Sequence, residues 1–349
     1  MKDSHHHAKA KEDDSNFLRI HNSESKILHY IVREVAPYIN WVYYFHAWGM
    51  EPRFAAIAEV HNCPSCRASW VATFPAEEQS KAHEAMKLYD EAMELLRQWA
   101  DEPMCHALFL LAEAYSEGDD IIVGGKVRIP FLRQQCVGKA GYTLCLSDFI
   151  KNEDENPQTD YRLHSCTPKL QNSRITNTIG LFATTVSQPQ NPQLSIFNFQ
   201  FSTLSDRLAE ATAEKMHEEV RKHYWGYAKD EQLTMRELHS EQFQGIRPAV
   251  GYPSLPDQSI NFLIDELLYL EKIGITLSEH GAMHPHCSVS GFMFAHPKAQ
   301  YFSVGEIGED QLRDYARRRQ LPPNQIEKFL CKNYRPKHRL NPQKEDKKY

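Results

Sequence analysis

The chain is 349 residues long, enough to bury a sizeable core as one large domain or two smaller ones. Hydrophobic residues make up 41% and charged residues 25%, and the net charge of −6 gives no general attraction to nucleic acid or to anionic membranes. No apolar run approaches membrane-spanning length and the opening residues, Met1-Lys2-Asp3-Ser4-His5, carry no signal-peptide core, so the expected location is the cytoplasm. Most of the eight cysteines are accordingly expected as reduced thiols, often buried, and not as a disulfide framework.

In chain order, residues 1 to 22 are polar, charged and histidine-bearing, and read as a disordered leader. The ordered unit is expected over 23–335, followed by a basic solvated tail over 336–349. Lys81 to Trp99 sets Ala82, Met86, Tyr89, Ala92, Met93, Leu96 and Trp99 on one helical face. Leu108 to Leu111 reads as a short strand. Ile121-Ile122-Val123 and Lys126-Val127-Arg128-Ile129 flank Gly124-Gly125, which suits a two-residue hairpin because both turn positions accept positive φ. Ile179 to Val186 is a further strand. Thr203 is placed as the cap of a long helix whose buried stripe is Leu208, Thr212, Met216, Val220 and Tyr224. A helix over about Ser259 to Ile273 stops at Gly274. Cys287 to Phe294 and Tyr301 to Val304 read as strands, and Asp310 to Arg319 and Gln325 to Cys331 as helices parted by Pro322-Pro323. These elements do not alternate as βαβ units and no glycine-rich phosphate loop occurs, so the fold class is α+β and any nucleoside must be held by another geometry.

The most informative local stretch is Gly245-Ile246-Arg247-Pro248-Ala249-Val250-Gly251-Tyr252-Pro253. Its glycines and prolines exclude regular structure and fix a rigid loop that presents one guanidinium and one phenol. A guanidinium offers a planar fork to a carboxylate. The plainer reading pairs Arg247 with a surface acid and packs Tyr252, and composition alone favours it. Glu210 lies opposite the buried stripe of its helix and reads as solvated. Tyr301 and Phe302 read as packing residues, and Asn40, set among aromatics, as a hydrogen-bonding or turn residue. Cys63-Pro64-Ser65-Cys66 with His61 has C-x-x-C spacing, but no second pair follows at zinc-finger distance, which is thin support for a zinc site or a redox pair. His280, His284, His286 and Cys287 are close in sequence, yet Pro285 breaks any helix that would align them, so they read as loop residues.

Several stretches taken together resemble the activation domain of cobalamin-dependent methionine synthase. They are Pro37-Tyr38-Ile39-Asn40-Trp41, Leu132-Arg133-Gln134-Gln135, Cys145-Leu146-Ser147-Asp148-Phe149, Asp206-Arg207-Leu208-Ala209-Glu210-Ala211 and Tyr224-Trp225-Gly226-Tyr227. Gly245-Ile246-Arg247-Pro248-Ala249 with Gly251-Tyr252-Pro253 follows, then Ser288-Val289-Ser290-Gly291, His296-Pro297, Tyr301-Phe302-Ser303-Val304-Gly305 and Asp310-Gln311-Leu312-Arg313-Asp314-Tyr315-Ala316. The resemblance implies a single C-shaped α+β domain with a twisted antiparallel sheet and peripheral helices. It also implies S-adenosylmethionine in a shallow groove, a cobalamin-binding methyltransferase subunit as partner, and flavodoxin or a similar reductase as electron source. Carried over residue by residue, it has Arg247 forking onto the methionine carboxylate, Glu210 accepting hydrogen bonds from the ligand, and Tyr252 and Tyr301 lining the groove. Asn40 takes a ligand-contacting position, and backbone around Ala249 and Phe302 completes the set.

The chain departs from the family pattern at Asn40, where Asp is usual, and at Val250, where a proline is usual. It departs again at Pro256-Asp257-Gln258-Ser259-Ile260-Asn261, where the usual run is proline, acid, His, Thr, Glu, Lys; the Cys63–Cys66 segment stands as an insertion. No D-x-H-x-x-G cobalamin motif, homocysteine zinc site or folate barrel is present, so the expected role is a methionine synthase component acting in trans, not catalytic alone. The competing expectations are a binding or scaffold module that kept the fold and lost methyl transfer, favoured by the missing histidine at Gln258, and a small zinc-binding regulator built on Cys63 and Cys66.

Overall fold

The computed structural model describes residues 24–136, 141–151, 177–189, 199–330 and 332–334. The leader over 1–22 and the tail over 336–349 lie outside the described residues. A curled antiparallel sheet of six strands organises the α+β fold. Its centre is β2 (Cys105–Glu117), far longer than the Leu108–Leu111 strand expected. One edge of β2 pairs first with β1 (Lys26–Tyr30) and then with β3 (Asp120–Val123), and its other edge pairs throughout with β5 (Thr178–Val186). β4 (Val127–Pro130) extends the sheet beyond β3, and β8 (Ser288–Met293) extends it beyond β5. A small separate hairpin joins β6 (Thr276–Leu277) to β7 (Met283–His284).

The length of β2 was hidden because the strand is buried on both faces, which erases simple alternation. Ala107 and Phe109 point into one core, while Leu108, Leu110, Ala112 and Ala114 point into the other. The β3–β4 turn takes three residues, 124–126, one more than expected, and Gly124 and Gly125 have φ of 60° and 71°.

The first core lies between the sheet and helices α1 (Val32–Val35), α2 (Trp41–Ala47), α3 (Pro64–Ala72), α4 (Gln79–Gln98) and α5 (Phe199–Glu219). In α4 the buried residues are Ala82, Ala85, Leu88, Ala92 and Leu96, with Met86, Tyr89 and Met93 packed at the margin, close to the expected stripe. α5 begins at Phe199, so Thr203 is an interior residue and not a cap; Leu208, Thr212, Met216 and Val220 are buried as expected, but Tyr224, in the π turn that follows the helix, is exposed. The Thr184 hydroxyl on β5 donates to the Ala209 carbonyl at 3.0 Å, which fixes α5 against the sheet. α6 (Met235–His239) follows, with Thr234 as a capping box.

The second core, on the opposite face, is closed by α7 (Ile260–Leu268). The single helix expected to Ile273 breaks at Tyr269, which adopts a left-handed φ of 58°, and resumes as a 3-10 turn, Leu270–Ile273, ending at Gly274 as expected. A third small core joins α8 (Glu309–Arg318) to α9 (Pro323–Phe329). Residues 301–304 are not a strand: they run as extended chain, with the Val304 amide donating to the Pro253 carbonyl at 2.9 Å. Among the described residues no helix is long and apolar enough to cross a membrane. The described cysteines are all free thiols, in line with expectation.

Candidate functional site

The loop around Arg247 is shaped by β8. It is laid along the outer edge of that strand, where Ile246 and Phe294 exchange amide hydrogen bonds of 3.0 and 2.9 Å. Phe292 then donates to the Pro248 carbonyl at 3.0 Å and Val250 to the Ser290 carbonyl at 2.9 Å. The proline-bounded segment therefore acts as an irregular edge strand, satisfying the groups that β8 would otherwise expose. Gly291 makes this possible: a Cβ there would collide with the Pro248 carbonyl oxygen and stand 2.8 Å from the Ala249 Cα.

With the loop held in this way, Arg247 enters from β8 and meets α5. On α5, Arg207, Glu210, Ala211 and Glu214 recur at helical spacing and line one side of a cavity. The Arg247 guanidinium is buried, forms an ion pair with Glu214, and lies over the Phe182 ring at 5.6 Å. The Tyr301 hydroxyl accepts from the Arg247 amide at 2.9 Å, which ties residue 301 to the loop. Tyr252 turns back from the loop to donate to Glu210 at 2.5 Å. Partial withdrawal from water, and then the Glu210 carboxylate, push this phenol above its usual range.

These residues line one cavity of about 450 Å³. Asn40, Glu210, Arg247, Ala249, Tyr252, Tyr301 and Phe302 all face it, so every residue singled out by the resemblance is brought to one place. Asn40 also caps α2, its side-chain oxygen accepting from the Val42 amide at 3.1 Å. One detail differs from the reading of the sequence alone: Glu210 is half-buried in a groove and not solvated. Arg247 is paired with an acid, as the plainer reading had it, although the pair is withdrawn from the surface.

Sequence reasoning missed several wall residues: Tyr38, Tyr43, Arg207, Glu214, His239 and Glu241. Arg207 and Glu214 could have been found from the spacing of Glu210, one turn to either side of it. Tyr38, Tyr43 and His239 had no such signal. Burial, and then the neighbouring Glu214, push the Glu241 carboxyl up. Among the described residues, three buried polar atoms on the wall have no hydrogen-bond partner: Arg207 Nε, Glu214 Oε2 and Arg247 Nε. Two donors and one acceptor left open beside a groove are the complement of a molecule that carries both a carboxylate and an ammonium group.

Residues 31–320 match the profile of the family described as vitamin B12 dependent methionine synthase, activation domain. The chain belongs to that family. It is similar to a crystal structure of the MetH reactivation domain bound to AdoHcy, with a TM-score of 0.68 and 29% identity, over 89% of this chain and 90% of that one.

Behind the groove of this activation domain sits His217, fully buried on α5. Its Nδ1 lies 2.9 Å from an Arg221 guanidinium nitrogen, which can only donate, so Nδ1 must accept and the ring is neutral. Burial first, then the Arg221 and Arg247 charges, hold its pKa well below the ordinary range. The unfolded chain takes up a proton at this residue near pH ~6.5, whereas the folded chain refuses it. Stability is therefore flat above that pH and falls below it by ~1.4 kcal/mol per pH unit for this group. Urea unfolding at several pH values should show a shallower acid loss in His217→Gln than in the parent. Equal slopes would mean that the histidine is not held neutral.

Proposed function

We propose that the chain binds S-adenosylmethionine in the groove and presents it to cobalamin on a separate methyltransferase subunit, such as methionine synthase, supporting reductive methylation of the inactive cofactor. The observation that carries this reading is the convergence of Asn40, Glu210, Arg247, Tyr252 and Tyr301 on one cavity whose open valences suit an amino-acid zwitterion. Bound together, the sulfonium would supply an activated methyl group, and cobalamin reduced by flavodoxin or a similar reductase would supply the nucleophile. Arg247 would take the ligand carboxylate, with its pairing to Glu214 loosened as that acid turns to the ammonium group. Glu210 would accept from the ligand as well, and the Tyr252 and Tyr301 rings would stand beside the positive sulfonium or the nucleoside. Backbone at Ala249 and Phe302 would close the remaining contacts. No general base is required of the protein, only alignment.

The binding unit is assigned to residues 23–335. Gly251, Tyr252 and Pro253 also form one wall of a larger hollow of about 1080 Å³, which holds Gln258 and His280. We assign this adjoining face to the partner's cobalamin, so that Tyr252 stands between the two reactants.

Calorimetry with S-adenosylmethionine tests the groove, and adding the protein to a methionine synthase stripped of its own activation domain tests action in trans. Absence of heat would remove the whole reading. Heat without methylation of reduced cobalamin would leave the binding module that the Gln258 substitution favours. Asn40→Asp is expected to tighten binding by up to about 10-fold, because a charged acceptor is roughly twice as strong as a neutral one. Asp keeps the α2 cap, so the fold should be unaffected. Weaker binding in this variant would show that residue 40 does not face the ammonium group.

A further inference from the structure

The C-x-x-C segment, which the groove does not use, acquires a third partner in the folded chain. His61, Cys63 and Cys66 bring one imidazole nitrogen and two sulfurs within 4.8 Å of one another. None of the three lines the groove or the adjoining hollow. We propose that they form a zinc site, with a water molecule in the fourth position, that clamps the turn at residue 61 onto the start of α3.

The local chain is built to hold these atoms together. Cys63 is the cap of α3, with Pro64 in the first helical position, where its fixed φ and missing N–H suit the helix start. The Cys66 amide donates to the Cys63 sulfur at 3.3 Å, which holds that sulfur over the first turn of α3, within reach of the Cys66 sulfur. The Cys63 amide in turn donates to the His61 carbonyl at 2.8 Å, a tight turn that curls the imidazole back over the sulfurs. α3 itself is anchored: Trp70 and Val71 are buried, and Arg67 grips Asp90 of α4 through two bonds of 2.6 and 2.5 Å. Cys66 thus sits on a fixed helix and Cys63 on its cap, with His61 on the turn just before them.

The donor chemistry fits zinc. An imidazole and two thiolates are the borderline-soft set that tetrahedral zinc prefers, and two thiolates neutralise the dication without further counter-charge. Cys66 is exposed, so the fourth position opens to solvent. On binding, each thiol that is still protonated releases its proton to solvent as its sulfur–zinc bond forms, and no electron is transferred.

The test is metal analysis of the full chain purified under reducing conditions after dialysis against zinc, alongside Cys63→Ser/Cys66→Ser and His61→Ala. His5, His6 and His7 remain in every version, so any weak metal they hold cancels in the comparison. The parent should retain one more equivalent of zinc than the double serine variant. Its cobalt-substituted form should show thiolate charge-transfer bands and the intense visible bands of a tetrahedral site. Zinc should raise the melting temperature of the parent and not of the variant. Equal metal content in parent and double variant, or a cobalt spectrum without thiolate bands, would overturn the proposal, as would a Cys63–Cys66 disulfide in the freshly purified chain. Because these side chains lie at the surface, the variants are expected to keep the parent's circular dichroism. If the double variant unfolds, the cobalt spectrum of the parent decides alone.

Discussion

Arg247→Ala is expected to weaken S-adenosylmethionine binding by on the order of 100- to 1000-fold. Removing one member of a buried, hydrogen-bonded charge pair costs roughly 3–4 kcal/mol, and each 1.4 kcal/mol is a factor of ten. The loss has two parts. The ligand carboxylate loses a donor fork, and Glu214, now without its guanidinium, keeps a charge against a wall that no longer balances it. Arg247→Lys separates the two, since it restores the charge without the fork and should recover only part of the affinity. Calorimetry on proteins with matched circular dichroism measures both. An unchanged dissociation constant in the alanine variant would place the ligand elsewhere and take the functional assignment with it.

The second large effect is expected far from any ligand atom. Gly291→Ala should cost about 3 kcal/mol of folding stability, at the upper end for overpacking, because the two atoms nearest the new methyl group are backbone, which cannot swing aside, and the buried Phe182 ring stands just behind them. The Pro248 carbonyl and the Ala249 Cα would have to move, and the loop that carries Arg247 and Tyr252 would move with them. Binding should therefore weaken together with stability. Urea unfolding checks the first and calorimetry the second. A variant with the parent's midpoint and affinity would show that the loop does not depend on its close approach to β8.

Much of the architecture was legible where a local pattern decided it. The α4 stripe, the β5 run and the β3–β4 glycines each carry their own periodicity or turn chemistry, and each forms close to the expected place. The misreadings fall where distant packing overrides the local pattern. Tyr301 to Val304 is apolar enough for a strand, but its hydrogen bonds go to Pro253, Arg247 and, through the Ser303 carbonyl, the Gln134 side chain, so no ladder forms. Similarly, the break at Tyr269 has no proline or glycine to announce it.

For the groove, the split follows the same physics. Residues 245–253 declare a rigid loop with a guanidinium and a phenol, because proline and glycine act on their own backbone and need no distant partner. What that loop faces is a matter of long-range contact. Glu214 lies 33 residues before Arg247 and Glu210 lies 42 before Tyr252, and no periodicity connects them. Only when β8 draws the loop along its edge and α5 settles on β5 do those acids meet that guanidinium and phenol, since ion pairs and hydrogen bonds depend on distance in space and not on distance along the chain.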